Sequence, residues 1–162
     1  MNSYLWNTYK MKLTDNFSLD EFLRSQTATR HGISMDPPIE VVDNLRRLCV
    51  DILQPYRDVI GVPITITSGY RPPKLNEMIG GSTTSAHMDG RAADIFVAGK
   101  SPYEVATAIR DMDLPYDQLI HEFGRWVHVG ISKEDDDIRM QDLTATRGNK
   151  GTVYAHGIRR VA

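Results

Sequence analysis

Residues 41–53, "VVDNLRRLCVDIL", put Val41, Val42, Leu45, Leu48, Cys49, Ile52 and Leu53 at i, i+3, i+4 spacing, the period of a helix buried along one face. Such a helix has to cover something apolar, and the later short stretches of the chain alternate like strands. "VPITITSGYRPP" alternates and then breaks at Gly69 and the prolines, which puts Ser68 to Arg71 where a strand meets a loop. "AADIFV" reads as a second strand, and "YDQLIHE" and "RWVHVGIS" read as two more joined by a tight turn at Phe123 and Gly124. Helices and strands alternate irregularly with a late hairpin, so the expected fold is α+β, with helices packed on a small antiparallel sheet.

Smaller signals fill in the frame. "SLDE" (18–21) and "SPYE" (101–104) are capping boxes that open helices, and "KLNEMIG" continues as a short helical segment. Pro55 marks the end of the main helix or a kink in it. The chain of 162 residues suits one domain, 1–162, with residues 1–15 a loose N-terminal arm and 133–162 a polar, weakly patterned C-terminal segment. Arg159 and Arg160 in that segment are solvated charge by default.

Composition narrows the function classes. With 41% hydrophobic and 25% charged residues, and no apolar run near the ~20 residues that span a bilayer, a transmembrane segment is not expected. The net charge of −2 gives no overall positive field to hold a nucleic-acid backbone. The N-terminus lacks an apolar stretch with a small-residue cleavage site, so no secretory signal is read there and synthesis in the cytoplasm is expected. Cys49, the single cysteine, falls on the apolar helix face and reads as a buried, inert thiol.

Period-2 alternation points to a site. In "AADIFV", Ala93, Ile95 and Val97 take the core side and Asp94 the other; in "WVHVGIS", Val127, Val129 and Ile131 take the core side and His128 the other. If those strands are neighbours, Asp94 and His128 meet on one surface, and His87 can fold back from the preceding loop, where Gly90 lets backbone pass close to an ion. Two imidazoles and a carboxylate with an open fourth position make a catalytic zinc arrangement; hydrogen-bonded His–Asp pairs or a solvated loop are the alternatives.

Three motifs in order, "SGYR", "SAHMDGRAAD" (S-x-H-x-x-G-x-A-x-D) and "WVHVG", resemble the zinc D-alanyl-D-alanine carboxypeptidase family, whose wider relatives include lysostaphin-type endopeptidases and the hedgehog domain. The resemblance runs from "NFSLDEF" to "WVHVGIS" and is strongest to the phage endolysin and peptidoglycan peptidase branch. It implies zinc ligands His87, Asp94 and His128 on the exposed face of the sheet, with Arg71 binding a substrate carboxylate or the developing oxyanion. It also implies an acidic base shortly before the last histidine. Many relatives carry that acid three positions ahead, where this chain has Arg125; the nearest carboxylate is Glu122, six ahead, which is assigned the role. Asp89 and Asp117 are rival carboxylates. Ser85, Trp126 and His121 are secondary substrate-binding candidates, although His121 alternates to the opposite strand face; His31 and His156 have no assigned partner.

The expectation is a zinc metallopeptidase that hydrolyses an amide bond in bacterial peptidoglycan, in the manner of an endolysin set free by a holin-type partner. The alternatives are a zinc-stabilised binding module without catalysis, and a virion-associated peptidase for wall penetration. Oligomeric state and the bond cut (D-Ala–D-Ala, L-Ala–D-Glu or a cross-bridge) are left open.

Overall fold

The computed structural model describes residues 10–134 and 137–161. Two short helices come first, α1 (Leu19–Phe22) and α2 (Gln26–Arg30). The long apolar-faced segment then forms one uninterrupted helical run: α3 (Ile39–Leu48), a π-helical turn (Cys49–Leu53) and α4 (Gln54–Ile60). Every residue of its expected apolar stripe is buried. Pro55 neither ends this run nor lies in its middle register. It sits in the first turn of α4 directly after the wider π turn, where its missing N–H is accommodated, and the helix closes instead at Gly61, in left-handed conformation at φ +66°.

Strand β1 (Thr65–Ser68) and helix α5 (Pro73–Met78) precede a 3₁₀ turn (Ala86–Asp89) and strand β2 (Ala92–Phe96). Helix α6 (Pro102–Asp111) starts on the expected capping box: the Ser101 hydroxyl accepts from Glu104 N–H, and the Glu104 carboxylate accepts from Ser101 N–H. Then come β3 (Gln118–Glu122), β4 (Trp126–Gly130), β5 (Gln141–Gly148) and β6 (Gly151–His156). Between β3 and β4, Phe123 and Gly124 both have positive φ (55° and 67°) and Arg125 N–H donates to Glu122 O, the two-residue turn whose twist matches a hairpin.

The fold is α+β, with a sheet of order β1-β2-β4-β3-β5-β6. All neighbours are antiparallel except β3 and β5, which pair in parallel. The sheet is therefore larger and more mixed than expected, and the added strands come from the polar tail. Only Leu143, Thr144 and Ala145 of β5 are buried, too few to produce an apolar alternation in the sequence. Polar contacts hold its entry instead: Arg139 forks onto the Asp117 carboxylate at 2.6 and 2.9 Å, and the hydroxyl of buried Tyr116 donates to Asp142 at 2.6 Å.

One face of the sheet is the core. Ala93, Ile95, Val127, Val129 and Leu119 are fully buried against the helices, together with Leu45, Ile52, Val105 and Ile109. Residues 1–9 of the expected N-terminal arm lie outside the described residues; of the remainder, Leu13 is buried in the core and Met11 O accepts from Leu19 N–H, so this part is docked. No helix among the described residues is long and apolar enough to cross a membrane.

Candidate metal centre

The opposite face of the sheet gathers the chemistry. In the β2–β4 ladder Asp94 pairs directly with His128, while Ala93 pairs with Val129 and Ile95 with Val127 toward the core. Alternation thus delivers the carboxylate and one imidazole to the same patch. The second imidazole, His87, arrives from the 3₁₀ turn before β2. Gly90 closes that turn at φ +70°, and a Cβ there would stand 2.6 Å from Val41 O, so glycine serves the packing of the turn onto α3 rather than an approach of backbone to an ion.

His87 is locked on both sides. Its Nδ1 lies 2.8 Å from the Gly69 carbonyl, which can only accept, so Nδ1 carries the proton and Nε2 presents its lone pair to the site. Backbone pairing completes the lock, since Arg71 N–H donates to His87 O. Gly69 is required in turn, because a Cβ there would meet Phe22 O at 2.5 Å while Tyr70 N–H donates to that same oxygen.

Three atoms converge. His87 Nε2 lies 3.2 Å from both Asp94 Oδ1 and His128 Nδ1, and His128 Nδ1 lies 3.0 Å from Asp94 Oδ1. Ligands at 2.0–2.1 Å around a tetrahedral zinc stand roughly 3.3–3.4 Å apart, so a shift of a few tenths of an ångström seats the ion. These residues could hold a metal ion, and the two-imidazole, one-carboxylate donor set with an orienting carbonyl behind His87 is of the catalytic zinc kind.

Electrostatics agree with that chemistry. Burial works against charge on Asp94, but the flanking imidazoles of His87 and His128 outweigh it and hold the carboxyl well below the usual range. Burial pushes the His87 pKa down despite the attraction of Asp94, in the direction of the neutral ring that a metal ligand needs. Arg71 anchors on Ser68 Oγ through Nε (3.0 Å) and reaches Asp94 Oδ2 at 2.7 Å and His87 Nε2 at 3.2 Å through Nη2. Ser68 itself pairs with Asp94 in the β1–β2 register.

Glu122 follows on the same face. Ile120 pairs with His128 and Glu122 with Trp126, so the carboxylate stands one same-face step along β3 from the residue beside His128. Burial pushes its carboxyl up; His128 and Arg71 pull it down and Asp94 adds to the rise. The buried Trp126 indole N–H favours the charged form of Glu122, yet makes no hydrogen bond of ordinary geometry. Trp126 also stacks edge-on with Phe123 at 5.5 Å between centroids. Arg125 is exposed in the turn.

The remaining candidates separate. His121 points to the other face, where it is buried and donates through Nδ1 to Arg159 O at 2.8 Å; it does not join the group. Asp89 pairs with Arg91 and Asp117 with Arg139, so neither rival carboxylate is at the site. Ser85 shapes the His87 turn through its carbonyl, which accepts from Met88 N–H. Exposed His31 and His156 take no part in the three-atom group. Arg159 and Arg160 are tied down, the former to His156 O and the latter over the Tyr103 ring. Sequence reading gave Ser68 no role, although it stands three residues before the quoted Arg71. Next to Arg71 an open groove of about 1090 Å³ runs past Ser68, Tyr70, Arg24, Arg30 and Ile33.

The sequence model of a family described as Peptidase M15 matches residues 15–130, well over half of the chain. No curated protein matches it.

Proposed function

This chain belongs to the peptidase M15 family of zinc-dependent metallopeptidases, and from that premise we propose that it hydrolyses an amide bond in the stem peptides or cross-links of bacterial peptidoglycan. The observation that carries this reading is the placing of His87 Nε2, Asp94 Oδ1 and His128 Nδ1 within 3.2 Å of one another, with Glu122 farther along the same face.

His87, Asp94 and His128 would hold the zinc, which would supply Lewis-acid polarisation of a carbonyl and lower the pKa of a bound water. The chain's own groups do the rest. Glu122, its carboxyl raised by burial, takes the proton of the attacking water and returns it to the departing amine. Arg71, fixed by Ser68, offers its guanidinium to a substrate carboxylate or to the oxyanion. Trp126 walls the Glu122 side, and the groove beside Arg71 accommodates the extended peptide.

The finer biological role is that of a phage endolysin, made in the host cytoplasm and freed toward the wall by a holin-type partner; the three-motif resemblance supports it. The deciding assay incubates purified protein with intact peptidoglycan, with chelator and then zinc added back, and identifies released fragments by mass spectrometry. Zinc-restored release of peptide or D-Ala is expected and names the bond. Absence of release with one zinc bound per chain overturns the reading in favour of a binding module. For the role, the protein accumulates free in infected cells; recovery in purified particles reassigns it to wall entry.

A further inference from the structure

The C-terminal hairpin lies beyond the residues the family model matches, yet it continues the face on which the metal group stands. Register makes this concrete. Trp126 pairs with Glu122, Glu122 with Ala145 and Ala145 with Tyr154, so these four side chains form one row across β4, β3, β5 and β6 on the site face. Two strand spacings place the backbones of Glu122 and Tyr154 roughly 10 Å apart. Ala145, the residue between them in the row, is fully buried in a small apolar cluster with Ile120 and Leu143, against which Phe123 packs.

Tyr154 is 55% exposed, its hydroxyl makes no hydrogen bond to another described residue, and it is the large side chain at the β6 end of this row. Burial and the negative charge of Glu122 both raise its phenol pKa, so the hydroxyl stays a protonated donor. The Arg71 groove lies at the opposite end of the face, beside β1. In register the metal row runs from Asp94 and His128 over Ile120 and Leu143 to His156, and the Glu122–Ala145–Tyr154 row lies one same-face step beside it, so a peptide that leaves the metal group on the Glu122 side passes along this second row to Tyr154.

We propose that the β5–β6 hairpin is a second substrate-binding arm and that the Tyr154 hydroxyl donates a hydrogen bond to a backbone amide carbonyl of the substrate on the Glu122 side of the scissile bond. An uncharged carbonyl is selected over a carboxylate because the Glu122 charge repels an anion there. The two ends of the face then differ in chemistry: Arg71 takes the anionic part of the peptide, and Tyr154 takes neutral backbone. The inference rests on the peptidoglycan peptidase reading.

The test uses the zinc-loaded full chain and purified soluble muropeptides. Steady-state kinetics compare wild type with Tyr154→Phe and Tyr154→Ala; calorimetry measures muropeptide binding to Glu122→Gln with and without each change. Loss of one hydrogen bond of ordinary strength raises KM and Kd about tenfold with kcat little changed. Tyr154→Phe, which keeps the ring and its packing, shows the same rise and decides the matter if Tyr154→Ala disturbs folding. Unchanged KM and Kd in Tyr154→Phe overturn the proposal. If the Glu122→Gln chain binds muropeptide but the wild type releases nothing, the peptidase reading fails while the Kd comparison still decides the hairpin; if nothing binds, both fall.

Discussion

Asp94 and His128 stand directly opposite one another on β2 and β4, with Oδ1 3.0 Å from Nδ1, and His87 reaches the same carboxylate oxygen from a turn. The carboxylate is thus the shared vertex of the group. Removing an orienting partner behind a ligand costs about 10–100-fold in metal affinity, and removing the ligand itself costs more. Asp94→Ala therefore loses zinc in a chelator competition at concentrations where the wild type keeps it. Retention of wild-type affinity would show that the ion is held elsewhere.

The frame behind the ligands is as constrained as the ligands. Gly69 passes so close to Phe22 that a Cβ would lie 2.5 Å from its carbonyl oxygen, and its own carbonyl fixes the His87 tautomer. Gly69→Ala forces the strand end outward, destabilising the fold by about 1–3 kcal/mol as overpacking does. It also weakens zinc binding, although no ligand is altered. Urea denaturation and metal titration on the same sample check both; a stability loss with unchanged zinc affinity would refute the coupling.

These particulars show what the sequence could and could not carry. Asp94 and His128 were legible because β2 and β4 obey strict alternation, with fully buried Ala93, Ile95, Val127 and Val129 marking the core side. Glu122 was proposed from the family resemblance, as the carboxylate nearest ahead of His128, and it shares that residue's strand parity. The π turn before Pro55 was not, since a proline inside an apolar helical pattern signals an end or a kink equally well. Strands β5 and β6 were hidden because their attachment is a parallel, largely polar one, secured by Asp117–Arg139 and Tyr116–Asp142 rather than by an apolar stripe. The role first given to Gly90 was misplaced, because a crowded contact with α3 leaves the same residue in the sequence as an approach to an ion.

The buried Asp117 carboxylate accepts from the backbone N–H and the guanidinium of Arg139 at the entry to β5. The side-chain hydrogen bond to Arg139 leads the causes that lower its pKa in the folded state, against opposition from burial. A depressed folded value means the stabilisation is present above the ordinary carboxylate range and is lost as pH falls through that folded value. Asp117→Asn costs about 1.5–3 kcal/mol at pH 7, the range for a hydrogen bond to a charged group. Urea midpoints measured from pH 7 downward should converge for the two proteins in acid; a constant gap would disprove the electrostatic origin.

Glu122 combines the chemistry and the pH dependence. Burial is the leading influence on its carboxyl and raises it, with Asp94 adding to the rise and His128, Arg71 and Trp126 opposing it. A general base acts as its carboxylate, so kcat/KM rises with pH on an acidic limb set by the Glu122 carboxyl. Glu122→Gln keeps the shape of the side chain and cannot accept the proton; kcat falls by about 10²–10⁴-fold while zinc stays bound. The acidic limb disappears from whatever activity remains. Glu122→Asp retains the carboxylate but draws it back from the row it shares with Trp126 and Ala145, and recovers part of the rate. Full turnover in Glu122→Gln, or an unshifted acidic limb in that variant, would transfer the role of base to another group.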